Sequence, residues 1–396
     1  MTGYVGNLNA AQEEALKKLK ENTADVYNPS YDDYNYLRWL RAREFDVAKA
    51  EAMMRKNIAF RRNIGADTIL EDYKVPELID RCFPRGYIGP DKDGCPVRYM
   101  PFKFLDLKGF AYSVKKSEVL KFLTYLFEHD IKEMEEMTKK TGRVIEKHSY
   151  IVDMEGYTFQ RATNRDGLNL LSEILKLYEA HYPERMKTTY FINAPIYFNL
   201  VLNLLKPFLS ENTLKKFRVF AKDFKKYLLN DIEAEILPKF LGGERTDPDG
   251  NPLCESFINF GSLIPPEKYV LRKSLKSLEE DEGVCCIKVP RLSWRLVDIL
   301  VPEANSKVEW EFETSTQDIA VAFCLRKEGE ELEELVAPER VACHLVPESA
   351  TFLCEKPGKY ALKFDNSYSW LSTKKVFYKI KVTLAGKDED CEDSLT

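Results

Sequence analysis

"HYPERMKTTYFINAPIYFNLVLNLLKPFLSENTLKKFRVF", residues 181–220, holds the features from which the rest of the chain can be read. "MKTTYFIN" (186–193) is a β-branched and aromatic run of strand length. The segment 196–210, "IYFNLVLNLLKPFLS", has ten apolar residues in fifteen. It is shorter than the roughly 20 apolar residues that span a bilayer, and greasier than a solvent-facing helix. Composition alone leaves two readings open, a buried core helix or a lid that touches membrane. On its flanks lie a Glu-Arg pair, Glu184 and Arg185, and a cationic run that includes Lys215, Lys216 and Arg218.

Working outward, "HSYIVDM" (148–154) is a second buried-looking strand, and "GCPVRYMPF" a third, placed after a Gly-Pro-Asp-Lys-Asp-Gly turn. Amphipathic helices are predicted over residues 115–140 and 164–181. This alternation predicts an α/β layer with a largely parallel sheet. Upstream, three helices are predicted. One opens at Asn9 and ends near Asn22. One carries Tyr36, Leu37, Leu40 and Phe45 at helical spacing. One starts on Asp46 and stops at Gly65, as a C′ glycine would. Downstream, the period changes to two: Val308, Trp310 and Phe312 share a face, as do Tyr360, Leu362 and Phe364, and Val376, Tyr378 and Ile380. Such strands predict a β-sandwich. The fold class is therefore multidomain. The expected division is a helical module (1–75), an α/β domain (76–246), a linker (247–284), a sandwich (285–384) and an acidic tail (385–396).

The net charge of −5 over 396 residues excludes general polyanion binding, and no nucleic-acid partner is expected. The N-terminus has no apolar signal region, and the nine cysteines have no CxxC pairing, so reduced thiols in the cytoplasm are expected. Zinc-ligand spacing is absent, and so are GxxxxGK[ST], GxGxxG and GxSxG. Asp153 ends a strand, where a catalytic carboxylate can sit, but a backbone-binding role is the plainer reading. "DKDG" (91–94) and "DPDGNP" (247–252) lack the Gly and Glu spacing of an EF-hand and read as turns. No enzyme, cofactor or metal is expected.

What remains is a pairing of an apolar segment with cations. A lipid has the complementary parts: acyl chains worth roughly 0.8 kcal/mol per buried CH2, and a phosphorylated headgroup that needs donors. "YPERMKTTYFINAP", "KPFLSENTLKKF" and "LPKFLGG" closely resemble the CRAL-TRIO lipid-transfer family. "GNLNAAQEEAL", "YLRWLRAREFDVAKAEAM" and "DTILEDY" resemble that family's N-terminal helical module, and "FDNSYSW" with its surroundings resembles a GOLD domain. The resemblance implies a protein that binds a single lipid in a cavity, visits membrane surfaces transiently, and transfers or presents its cargo. It implies a phosphatidylinositol headgroup site at Arg43, Glu184, Arg185, Thr213 and Lys216. Where phosphatidylcholine-binding members carry Ser and Thr, this chain has His148 and Tyr150. That departure argues against phosphatidylcholine and leaves room for another hydrophobic lipid such as a sterol, squalene or tocopherol. Under this reading the lid spans roughly Pro195 to Leu209, anchored by Phe198, Val201, Leu202, Leu205, Phe208 and Leu209. The GOLD-like domain would contact membranes or protein partners, with Lys374 and Lys375 as exposed cations. A competing reading is a lipid-sensing adaptor that recruits partners through that domain; a lipid-modifying enzyme is a further alternative.

Overall fold

The computed structural model describes residues 2–29, 31–162, 164–269, 283–327, 331–344 and 347–385. Residues 386–396 of the expected tail and residues 270–282 of the expected linker lie outside the described residues. The chain divides into two compact units, Met1–Phe110 with Leu120–Ile264, and Ala111–Val119 with Pro265–Thr396.

Local rules set the first helices. α1 (Ala10–Asn22) is capped by Asn9, which forms a reciprocal capping box with Gln12. α2 (Asp33–Ala42) is capped by Asp32. α3 (Val47–Ile64) runs from Asp46 to Gly65, which closes it in the left-handed region at φ 71°. Leu19, Leu37, Leu40 and Met54 meet in the core between the three. The helical spacing through Phe45 does not persist. α2 stops at Ala42, and Glu44 and Phe45 take positive φ. The Phe45 N–H donates back to the Leu40 carbonyl at 2.8 Å. This tight reversal brings Asp46 into position to cap α3.

The central sheet has the order β5-β4-β3-β2-β1-β6. β2 (Pro96–Pro101), β3 (His148–Asp153), β4 (Met186–Ile192) and β5 (Phe217–Val219) run parallel. β1 (Arg85–Pro90) is antiparallel to both β2 and the short β6 (Ile258–Asn259). The period of two divides β2 to β4 between two environments. Val97, Tyr99, Ile151, Tyr190 and Ile192 fill a closed core against Leu228, Leu237 and Ile258. Arg98, Met100, Tyr150, Val152, Thr189 and Phe191 face the other way, into a cavity. With both faces covered, β3 and β4 each carry a short apolar run, Tyr150–Val152 and Tyr190–Ile192. Residues 247–264, expected as linker, instead stay on this unit: Cys254, Ile258 and Ile264 are buried, and β6 pairs with β1.

The second unit holds two four-stranded antiparallel sheets. One is β11-β10-β13-β8 and the other β12-β9-β14-β7. In chain order these are β7 (Cys285–Val289), β8 (Trp294–Val301), β9 (Ser306–Thr314), β10 (Ile319–Arg326), β11 (Leu332–Val341), β12 (Glu348–Cys354), β13 (Gly358–Asp365) and β14 (Lys374–Thr383). Val308, Trp310, Phe312, Tyr360, Leu362, Phe364 and Val376 join one core, as their spacing predicts, with Tyr378 and Ile380 partly buried against it. The Trp310 ring stacks on Phe323 with centroids 4.9 Å apart.

Candidate lipid cavity and cationic cage

Between the sheet and the helices lies a cavity of about 980 Å³. That volume is at the upper end of the ~300–1,000 Å³ typical of small-molecule sites. Its floor is the second face of β2 to β4. Its walls include Leu123, Phe127, Leu171 and Leu175 from the helices Lys116–Thr141 and Arg165–His181. Its remaining side is the apolar segment, now a helix from Phe198 to Leu205 followed by a 3-10 turn over Lys206–Phe208. Phe198 and Val201 are buried against Val152, Met154 and Tyr157, and the Phe198 ring lies 5.0 Å from that of Phe191.

Of the six expected lid anchors, Phe198, Val201, Leu202, Leu205 and Leu209 line the cavity; Phe208 does not, and its ring sits under Lys176. These side chains point inward and form part of the cavity wall. The outward apolar residues are Ile196, fully exposed, and Leu204, half-exposed. Sequence reasoning did not separate them, because the facing of an almost wholly apolar helix is set by packing and not by its own pattern. The helix has no side-chain N-cap.

One stretch of the cavity wall is polar. The Arg98 guanidinium pairs with the Asp130 carboxylate, and its terminal nitrogen lies 3.2 Å from His129 Nδ1. The Tyr150 hydroxyl donates to Asp130 at 3.2 Å. Tyr150 and Tyr178 line the cavity. His148 does not; it is buried behind them, with Nε2 3.0 Å from the Tyr178 hydroxyl and Nδ1 3.7 Å from Asp130. Burial pulls the His148 pKa down to about 4, against the opposing pull of Asp130, so the ring is neutral at pH 7. Arg98, Asp130 and Tyr178 were not among the expected site residues. They sit on separate elements, and no spacing rule links them.

Beside the cavity is a cationic cage. Glu184, held at φ 62°, accepts from Asn212 and faces Lys216 Nζ at 3.7 Å and Arg41 Nε at 4.0 Å. Arg41 also reaches Glu146 at 3.2 Å and stacks over Tyr4. Arg185 is half-buried and donates to the Glu146 carbonyl at 3.3 Å. Arg38 is buried on Trp39, with a 3.5 Å contact to the Pro183 carbonyl. The Nε atoms of Arg38, Arg41 and Arg185 are buried without a protein hydrogen-bond partner. Burial holds the pKa values of Arg38, Arg185 and Lys216 below their ordinary values. Thr213 connects cage and cavity: it lines the cavity, accepts from Ser210 at 2.9 Å, and belongs to the turn that carries Asn212.

Four of the five expected headgroup residues are therefore drawn together: Glu184, Arg185, Thr213 and Lys216. Arg43 is not. It is exposed at the C-cap of α2 and donates to its own neighbour, the Ala42 carbonyl, at 2.8 Å. Arg41, two residues back on α2, takes the place in the cage. Asp153 is structural: it accepts from Tyr99 at 2.8 Å, from the Glu155 N–H at 3.0 Å and from Asn193 at 2.9 Å. Among the described residues, no group of three or more His, Cys, Asp or Glu is placed to hold a metal, and no helix is long and apolar enough to cross a membrane.

Residues 81–243 match the model of the CRAL/TRIO domain, and residues 8–56 that of the CRAL/TRIO N-terminal domain, together more than half of the chain. The chain belongs to the CRAL/TRIO family. That family is one of lipid-binding and lipid-transfer proteins. Among CRAL/TRIO relatives, "Protein real-time" of Aedes aegypti is 33% identical over 289 residues, covering 71% of this chain and 42% of that protein. "CRAL-TRIO domain-containing protein T23G5.2" of Caenorhabditis elegans is 30% identical over 330 residues, covering 80% of this chain and 44% of that protein. The chain thus spans less than half the length of these curated relatives. The crystal structure of Sfh5 aligns with a TM-score of 0.46 at 18% identity, over 55% of this chain and 82% of that one.

Proposed function

We propose that the chain holds one lipid, tails in the 980 Å³ cavity and headgroup at the cage, and transfers or presents it between membranes without changing it. The single observation that carries this reading is the adjacency of the two: Thr213 lines the apolar cavity and belongs to the Glu211–Leu214 turn whose Asn212 bonds the cage's Glu184, and in that cage three arginine Nε donors, of Arg38, Arg41 and Arg185, are unspent. Buried donors without partners are costly, and a ligand phosphate that accepts from them removes that cost. Lys216 and Arg185 donate to phosphate oxygens in this reading. Glu184 accepts from inositol hydroxyls, which makes phosphatidylinositol the favoured phospholipid. The polar wall of Arg98, Asp130, Tyr150 and Tyr178 offers a place for the oxygen of a second, neutral ligand such as a sterol or tocopherol, with His148 behind it. The Phe198–Leu205 helix is the lid, and Ile196 and Leu204 are the side chains that meet a bilayer when it opens. The protein would work in the cytoplasm as a transient visitor to membranes, and its C-terminal sandwich would act as a GOLD-like docking module.

Transfer of labelled phosphatidylinositol from donor to acceptor vesicles, with the purified chain and no other protein, tests this. Transfer proportional to protein concentration supports it. Absence of transfer together with absence of bound lipid sinks it.

A further inference from the structure

Two loops meet at one end of the β-sandwich, residues 290–293 before β8 and 366–373 between β13 and β14. The Leu292 N–H donates to the Ser369 carbonyl at 3.1 Å, and the Asn366 N–H to the Ser293 carbonyl at 2.9 Å, so they form one surface. That surface holds large apolar groups in water. Trp370 is 75% exposed, Leu371 92% and Leu292 53%.

Buried polar clamps keep them there. Asn366 is wholly buried and donates from Nδ2 to the carbonyls of Val289, Pro290 and Ser372 at 3.2, 3.2 and 2.9 Å. Lys374, expected on the surface, is 1% exposed. Its ammonium donates to the Asp318 carbonyl and to the Tyr368 hydroxyl at 3.0 Å, and lies 4.5 Å over the Tyr368 ring. A buried lysine and a buried asparagine on either side of Trp370 and Leu371 fix the loop in one conformation, so the two side chains are presented and not merely frayed.

Within the two loops the charges have one sign: neither 290–294 nor 366–373 contains an Asp or Glu. The neighbouring carboxylates are engaged inward, Asp365 by the Ser367 N–H at 2.7 Å and Asp318 by Lys374 and Arg340. Arg291 and Arg295 are exposed beside the apolar groups, and Arg295 is steadied by the Trp294 carbonyl at 2.9 Å. A projecting Trp-Leu tip flanked by arginines has the chemistry of an interfacial anchor: indole at the headgroup level, an aliphatic chain below it, and guanidinium groups at the phosphates. We propose that this tip docks the sandwich on an anionic lipid bilayer, Trp370 and Leu371 entering the interface and Arg291 and Arg295 pairing with acidic headgroups. The proposal is independent of what fills the cavity.

The test uses the full chain and vesicles of phosphatidylcholine, with and without phosphatidylserine. Trp370→Ser with Leu371→Ser is expected to weaken binding to the anionic vesicles about tenfold, and Arg291→Gln with Arg295→Gln to abolish the preference for them. Depth comes from quenching of tryptophan emission by brominated lipid. Trp39 and Trp310 are buried, whereas Trp370 is 75% exposed and Trp294, at the start of β8 beside the tip, is 47% exposed, so quenching is read in a Trp294→Phe background. In that background Trp370→Phe is expected to keep binding and lose the quenched component. Unchanged vesicle binding of the Ser double variant, as a protein-docking role would give, overturns the proposal. So does quenching that persists when Trp370→Phe is added to Trp294→Phe, a readout that stands even if the Ser double variant fails to fold.

Discussion

Lys216 is the side chain whose role in an empty cage and in a filled one should have opposite signs. Its ammonium is 16% exposed and has one acid in range, Glu184 at 3.7 Å, too far for a hydrogen bond. Burial lowers its pKa, Glu184 offsets that in part, and Lys147 and Arg41 oppose the charge further. In the unloaded protein Lys216→Met removes a poorly compensated buried charge. Glu184 keeps Asn212 and Arg41. The unloaded stability is therefore expected to stay within about 1 kcal/mol of the parent or to rise. In the loaded protein the same change deletes a charge-assisted hydrogen bond to phosphate, worth about 1.5–3 kcal/mol. Affinity for phosphatidylinositol should fall about 10- to 150-fold. Isothermal titration with a water-soluble short-chain phosphatidylinositol reads the affinity, and denaturant unfolding reads the stability. Lys215→Met is the control, because its exposed ammonium pairs only loosely with Glu211 at 3.8 Å and should leave both readings unchanged. Equal affinity for Lys216→Met and parent, or equal losses for Lys215→Met and Lys216→Met, would refute the cage as the headgroup site.

Three further outcomes are expected. Leu202→Asp with Leu205→Asp places charge on the cavity side of the lid, removing about 2–3 kcal/mol of apolar burial; vesicle transfer should be lost while circular dichroism shows the chain still folded. Asp153→Ala strands three donors at the end of β3 and should cost about 2–3 kcal/mol in denaturant unfolding. His148 and His181 are held neutral by burial, with pKa values down to about 4 and about 3. The unfolded chain therefore takes up their protons first as pH falls below about 6.5. Each histidine should cost about 1.4 kcal/mol of stability per pH unit between there and its folded pKa; an unfolding series from pH 7 to pH 4 that stays flat would contradict this.

The parts of the fold governed by local rules were legible. Asn9, Asp46 and Gly65 bound their helices because capping chemistry needs only a few adjacent residues. β3 and β4 stood out because burial of both faces leaves β-branched and aromatic runs, Tyr150–Val152 and Thr188–Ile192. The choice between Arg41 and Arg43 was not legible, since it turns on α2 ending at Ala42 and reversing through Phe45. Nor was the inward facing of Phe198 and Val201, or the outward facing of Ile196, because a helix apolar nearly all round carries no orientation of its own. Lys374 reads as surface in any sequence pattern. Its burial depends on Asp318 and Tyr368, brought to it only when β10, β13 and β14 assemble. The Arg98–Asp130 pair joins residues 32 apart in sequence on a strand and a helix, a contact that only the packed unit specifies.

Native mass spectrometry of the chain, released gently from solution after incubation with vesicles containing phosphatidylinositol, tests lipid occupancy most directly. The expected spectrum shows folded protein carrying one lipid mass per chain, and the Leu202→Asp, Leu205→Asp variant without it. A folded parent chain that emerges free of lipid under conditions where vesicle lipid is in excess would contradict the proposal that the cavity and its cage are built for one.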